Sequence, residues 1–206
     1  MALTKQKDPA AFRRTILRKA AELIREQGVH GLSMRKLSHA LGASTMVLYT
    51  HFRNKQDLLN ELYLEGFDRL RRHLEEVPEG EDPLAYVVEL GRAYRRAALA
   101  NPDAYELMQS RTLQGFSLPK ESLEKSALSF RVLEGAVRQC MDRGLIAPGC
   151  SREVAQMLWG SIHGLISLQL AGHFVSEEAA TARFEMVLKT LEFGLMAGAH
   201  AREVEE

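Results

Sequence analysis

The chain has 206 residues, an ordinary apolar fraction of 46% and equal numbers of basic and acidic residues, 27 of each. That length and composition fit a soluble globular protein of one large domain or two small ones, with an ample core. The neutral total hides an asymmetry: residues 1–56 carry a balance of +8 and the remainder −8. A basic N-terminal quarter on an acidic body points to a polyanion-binding module joined to something else, or to a solvated basic surface without a partner.

Met1 to Asp8 is short and polar with no apolar core, so no secretory signal is expected there. Cys140 and Cys150 form no CxxC pair and have no clustered histidines, so we expect no metal site, a reducing compartment and a cytoplasmic location. No cofactor motif is present either.

Lys5, Lys7, Arg13 and Arg14 crowd the front of the chain. Asp8-Pro9 is a helix start, a capping carboxylate followed by the residue best tolerated at the first helical position. The helix over about 9–27 places Phe12, Ile16, Ala20, Leu23 and Ile24 on one face, and Gly28 ends it. From Ser33 to Lys55 two short helices, about 33–40 and 44–50, flank the turn Leu41-Gly42-Ala43. Ser33 and Ser44 are expected N-caps, and Gly42 supplies the left-handed backbone of the turn. The second short helix is expected to turn Val47 and Leu48 inward and to expose Ser44, Thr45, Met46, Tyr49, Thr50 and His51. Two helices joined in this way form a helix-turn-helix, whose second helix fits a DNA major groove.

Asn54 is expected to cap a fourth helix running to about Glu76, long enough to link the DNA-binding unit with the acidic body. The segment Pro78 to Pro83 breaks the chain, and Asp82-Pro83 repeats the helix-start signal. A fifth helix stops at Asn101-Pro102-Asp103, a sixth runs to about Arg111, and a looser stretch passes through Gly115 and Pro119. A seventh helix spans about 120–143, and Ser151 is expected to cap the eighth. From Val154 to Ser176 no Lys, Arg, Asp or Glu occurs, but Gln156, His163, Gln169 and His173 interrupt the run, so a buried or interface helix is expected and not a membrane span. Gly160 and Gly164 would admit another helix closely, and the last helix, about 176–199, offers Phe184, Val187, Leu188, Leu191 and Leu195. Two such helices from each of two chains make a four-helix bundle, so a homodimer is expected. The fold class is all-α, about nine helices, with no strand-period pattern.

Three segments, Gly31–Leu37, Leu41–Ala43 and Leu48-Tyr49-Thr50-His51-Phe52-Arg53-Asn54-Lys55, resemble the TetR family of transcriptional regulators over roughly residues 10–70. The last of these is similar to the family's LYxHFxxK signature. Trp159-Gly160-Ser161-Ile162-His163-Gly164-Leu165 is similar to the C-terminal domain type named WHG. The resemblance implies a helix-turn-helix domain at 10–70, its motif at about 33–52, and a ligand-binding and dimerisation domain at 71–206. It implies a regulator of palindromic double-stranded DNA, most often a repressor released by a small-molecule effector; an activator of the same fold stays open. A ligand-binding protein or enzyme with a vestigial DNA-binding unit is a further alternative, against which the sequence shows no nucleophile–base pair, paired catalytic carboxylates or metal spacing, so no enzyme is expected.

Arg35 aligns with a base-reading arginine in some members, and phosphate contact or plain surface charge are its alternatives. Thr45, Met46 and Thr50 fall where the family varies with operator sequence. Tyr49 and His51 match positions that grip phosphates, Lys55 adds an ammonium at a helix start, and Ser44 is a cap or a contact. Val47 departs from the small or hydroxyl residue of many members and is expected to pack. Phe67, Tyr86, Tyr94, Met108, Phe130, Met141, Trp159 and His163 are candidates for lining an effector cavity, each with a core role as the alternative.

Overall fold

The structure is a computed structural model that describes residues 8–109 and 118–203, with the side chains of 198–203 left aside. Among the described residues there are nine helices and no strands. They are α1 Pro9–Gly31, α2 Met34–Ala40, α3 Thr45–Tyr49, α4 Lys55–Glu75, α5 Pro83–Ala100, α6 Pro102–Gln109, α7 Lys120–Asp142, α8 Ser151–Leu170 and α9 Glu177–Glu203. Lys5, Lys7, Arg111 and Gly115, on which some expectations fell, lie outside the described residues.

The described chain divides into two compact units. The first takes the residues up to Phe67 and those of the 101–126 stretch; the second takes 68–100 and the chain from Ala127 on. The division falls inside α4 and inside α7.

In the first unit local chemistry sets the helix starts. Asp8 accepts from the Ala10 amide at 2.9 Å, Ser33 from Lys36 at 3.2 Å, Ser44 from Val47 at 3.4 Å, and Asn54 from Asp57 at 2.8 Å. Each side chain satisfies a donor that a first helical turn leaves orphaned. Gly42, at φ 62°, makes the left-handed step between α2 and α3. α1 changes direction at Gly28, φ 69°, and its last turn resumes to Gly31. Ile16, Leu17, Ala20, Leu23 and Ile24 of α1 pack with Leu37, Leu48, Phe52, Leu58, Leu59 and Leu62 in one core. α6 joins it through Leu107, and Arg25 of α1 reaches Asp103 of α6 at 3.7 Å.

In the second unit α5, α8 and α9 pack on one another. Gly91 makes the closest approach possible, since a Cβ there would stand 2.9 Å from Leu188 Cδ2. Arg92 ties α5 to α9 through Glu185, at 2.7 Å, while also holding Glu89 of its own helix. Phe184 and Leu188 of α9 and Leu158, Ile162 and Ile166 of α8 are buried, as the helix pattern requires.

Three expectations are corrected. Val47 does not pack inward but is 39% exposed. A helix of five residues has one position facing the core, and Leu48, wholly buried, takes it; its neighbour turns about 100° away. Ser151 is not the cap of α8: Cys150 holds the extended cap conformation, without a side-chain bond, and Ser151 is the first helical residue. The uncharged run from Val154 to Ser176 is also not one helix, because α8 ends at Leu170 and the chain turns at Gly172, φ 75°. No helix among the described residues is long and apolar enough to cross a membrane.

Candidate nucleic-acid interface

α3 is too short to hold itself helical, because a nucleated turn is costly and five residues return few hydrogen bonds. It stands because of its anchors: Ser44 at its start, Leu48 in its middle and Phe52, 1% exposed, just past its end. The rest of it faces out. Met46 is 74% exposed and Tyr49 51%; Ser44 and Thr50 are exposed, and Thr45 is half-buried. Arg35, on α2, is exposed on the same helix-turn-helix.

Ser44, Thr45, Met46, Tyr49 and Thr50 are therefore brought together by one short helix and its cap. Hydroxyl, phenol and thioether groups on such a surface offer donors, acceptors and apolar contact of the kinds that read base edges and hold phosphates. The Thr50 hydroxyl donates to the Val47 carbonyl at 2.7 Å, which leaves its lone pairs outward as acceptors.

His51 and Lys55 are set differently. The His51 ring packs edge-on to Phe12 with centroids 5.3 Å apart, and its carbonyl accepts from Arg13 Nη1. Lys55, the first residue of α4, donates from Nζ to the Val29 carbonyl near the end of α1 at 2.7 Å. Burial lowers the Lys55 ammonium below its ordinary value. Its bond to the irregular end of α1 is a structural role that no sequence signal announced.

Arg13 is the other residue that sequence reasoning passed over, reading it only as part of the basic front. Its guanidinium engages both oxygens of Glu61 on α4, with Nε to Oε1 at 2.7 Å, and lies 4.2 Å over the Phe52 ring.

The eight cavity candidates divide. Phe67 and Met108 belong to the first unit, where the Phe67 ring packs at a tilt against Tyr63 with centroids 4.8 Å apart and a Cβ on Gly66 would stand 2.8 Å from Met108 Sδ. The other six belong to the second. There Trp159 Nε1 donates to the Tyr94 hydroxyl at 3.0 Å, and the Trp159 ring meets His163 at 5.5 Å and Phe130 at 6.4 Å. Tyr94, Phe130, Trp159 and His163 thus form one aromatic group. Burial holds the His163 imidazole below its ordinary pKa, favouring the neutral ring. Tyr86 instead lines an open hollow of about 440 Å³ with Arg131, Gln139 and Glu79. Met141 is half-buried on α7. No group of three or more potential metal ligands occurs among the described residues.

The chain matches two family profiles: residues 16–62 match "Bacterial regulatory proteins, tetR family", and 87–191 match "Tetracyclin repressor-like, C-terminal domain". It is 38% identical over 90 residues to the class A tetracycline repressor protein from transposon 1721 of Escherichia coli, covering 43% of this chain and 41% of that one. The chain thus spans about two fifths of the length of the tetracycline repressors it matches. It is 25% identical over 165 residues to the fatty acid metabolism regulator protein of Bacillus subtilis, covering 77% and 82% of the two chains. A solved structure of a protein with unknown function from Rhodococcus sp. RHA1 superimposes with a TM-score of 0.79 at 26% identity, over 94% of this chain and 99% of that one. With the first profile on the helix-turn-helix and the second over half of its length, the chain belongs to the tetR family of bacterial regulatory proteins.

Proposed function

We propose that the protein is a sequence-specific DNA-binding transcriptional repressor, released from a palindromic operator by a small-molecule effector. The observation that carries this reading is α3, a five-residue helix anchored by Leu48 and presenting Ser44, Thr45, Met46, Tyr49 and Thr50 outward. In this reading Thr45, Met46 and Thr50, with Arg35 from α2, choose the sequence. Tyr49, His51 and the basic residues around them hold the backbone, and Lys55 braces the fold as well as adding charge. The reading domain, residues 10–70, acts together with α6 of its compact unit, and the body from residue 71 carries effector binding and dimerisation.

The dimer forms through α8 and α9. Met157 and Leu168 of α8 and Met186, Phe193 and Met196 of α9 are exposed, and open space faces Gly160 and Gly164. Exposed apolar side chains of this number on two adjacent helices fit a two-fold helical interface, which would set the two reading helices one DNA turn apart. The aromatic group of Tyr94, Phe130, Trp159 and His163 is the effector-contact candidate.

The test is equilibrium binding to promoter fragments, beginning with the one beside its own gene, over a salt series. Selective binding with a steep fall in salt is expected. Equal binding to promoter and random DNA at every salt concentration would refute the reading.

A further inference from the structure

We infer that Arg13 is a positioning residue for the reading helix, holding the end of α3 between α1 and α4 and touching no DNA itself; this rests on the function proposed above. α3 cannot fix its own direction, so its orientation is set by what grips its two ends. At the start the grip is local, the Ser44 cap. At the end it is long-range and converges on one side chain.

The Arg13 guanidinium engages three groups at once. Nε donates to Glu61 Oε1 at 2.7 Å and Nη2 donates to Glu61 Oε2, a two-point clasp onto α4. Nη1 donates to the His51 carbonyl, which lies just past the Thr50 cap of α3. The flat face of the group lies 4.2 Å over the ring of Phe52. Next to it in sequence, Phe12 meets the His51 ring edge-on at 5.3 Å. One turn of α1 therefore fixes the backbone and the ring of His51 together, and with them the direction in which Tyr49 and Thr50 leave the helix. A planar fork that binds a carboxylate through two nitrogens and still has a third for a carbonyl is a property of arginine that lysine lacks.

The alternative is that Arg13 is one more cation of the basic surface. The two assignments predict opposite results at Glu61, which carries negative charge on the DNA-binding unit. If charge alone matters, removing it by Glu61→Gln strengthens DNA binding. If Glu61 holds the guanidinium in place, the same change weakens specific binding.

The experiment is fluorescence anisotropy with the promoter fragment that the wild type prefers and with random DNA of equal length. It compares the wild type, Glu61→Gln, Arg13→Lys and Arg13→Met over a salt series, with thermal melting of each variant. A wild type without preference refutes the proposed function itself and not the role of Arg13 alone. Given a preference, Glu61→Gln and Arg13→Lys are each expected to lower the ratio of promoter to random binding about tenfold. Arg13→Met is expected to keep the wild-type salt slope, whereas loss of a phosphate contact lowers that slope by about one. An unchanged or higher ratio in Glu61→Gln, or full function in Arg13→Lys, overturns the inference. Should those variants not fold, Phe12→Leu, which removes the edge contact to His51 and keeps an apolar side chain against the core, is expected to lower the same ratio, and an unchanged ratio there overturns it equally.

Discussion

Replacing Leu48 and Met46 separately by alanine tests the division of labour on α3. The two side chains are two positions apart, yet Leu48 is wholly buried and Met46 is 74% exposed. Leu48→Ala opens a cavity in the core shared with Phe52, Leu58 and Leu59, and such truncations cost about 2–5 kcal/mol. Taking about 3 kcal/mol, and about 2–4 °C per kcal/mol for a chain of this size, the melting temperature should fall by about 6–12 °C. The protein should remain folded at 25 °C, because total stabilities are about 5–15 kcal/mol. Specific DNA binding should still fall at least about tenfold, since Leu48 is the buried side chain of α3. Met46→Ala should leave the melting temperature within about 2 °C, as exposed substitutions stay within about 0.5 kcal/mol. It should instead reduce discrimination at one base pair, by about 1 kcal/mol or roughly fivefold if the thioether packs on a thymine methyl. Differential scanning fluorimetry and anisotropy on single-base operator variants measure both. A Leu48→Ala protein that melts within 2 °C of the wild type, or a Met46→Ala protein as unstable as Leu48→Ala, would refute the assignment of anchor and reader.

Two other outcomes follow from the second unit. Phe193 is 74% exposed in the single chain, so Phe193→Glu should not harm the protomer but should weaken the dimer proposed above. Burying one such ring is worth about 1.5–3 kcal/mol and two-fold symmetry buries two, so dissociation should rise at least about a hundredfold; sedimentation showing an unchanged dimer would place the interface elsewhere. His163 is held below the ordinary imidazole value by burial, so the unfolded chain takes up a proton that the folded chain refuses once pH falls below about 6.5. Stability is unaffected above that pH and drains below it. Thermal melts from pH 8 to 5 should show His163→Gln losing less stability than the wild type over that range, and parallel curves would disprove the link.

What the sequence made legible was local. The caps at Asp8, Ser33, Ser44 and Asn54 and the turn at Gly42 depend on residues two or three apart, so reading the chain in order was enough to find them. The apolar stripe of α1 was legible for the same reason. Val47 was misplaced because a hydrophobic pair inside a five-residue helix carries no period, and only the packing of Leu48 and Phe52 decides which member turns in. The aromatic group around Trp159 needed positions 65 residues apart to meet, as Trp159 and Tyr94 do, and Phe67 and Met108 looked equivalent to its members by composition alone.

The charge asymmetry was the most useful global signal, and it is also the one that structure changes most. Counted along the chain, the front carries a balance of +8, all of it seemingly available to a polyanion. In the folded unit Arg13 is spent on Glu61 and the His51 carbonyl, and Lys55 on the Val29 carbonyl. Lys19 reaches Glu22 at 2.8 Å and Lys36 reaches Gln27 at 2.7 Å. Arg14, Arg18, Arg35 and Arg53 remain exposed. Among the described residues the basic side chains of this front thus fall into two groups: Arg13 and Lys55, which hold helices in register, and the rest, Lys36 included, which face solvent at least in part. The second group should dominate the salt slope of DNA binding, so that slope should be shallower than a count of eleven cations implies, while loss of a holding residue such as Lys55 should appear first in the melting temperature.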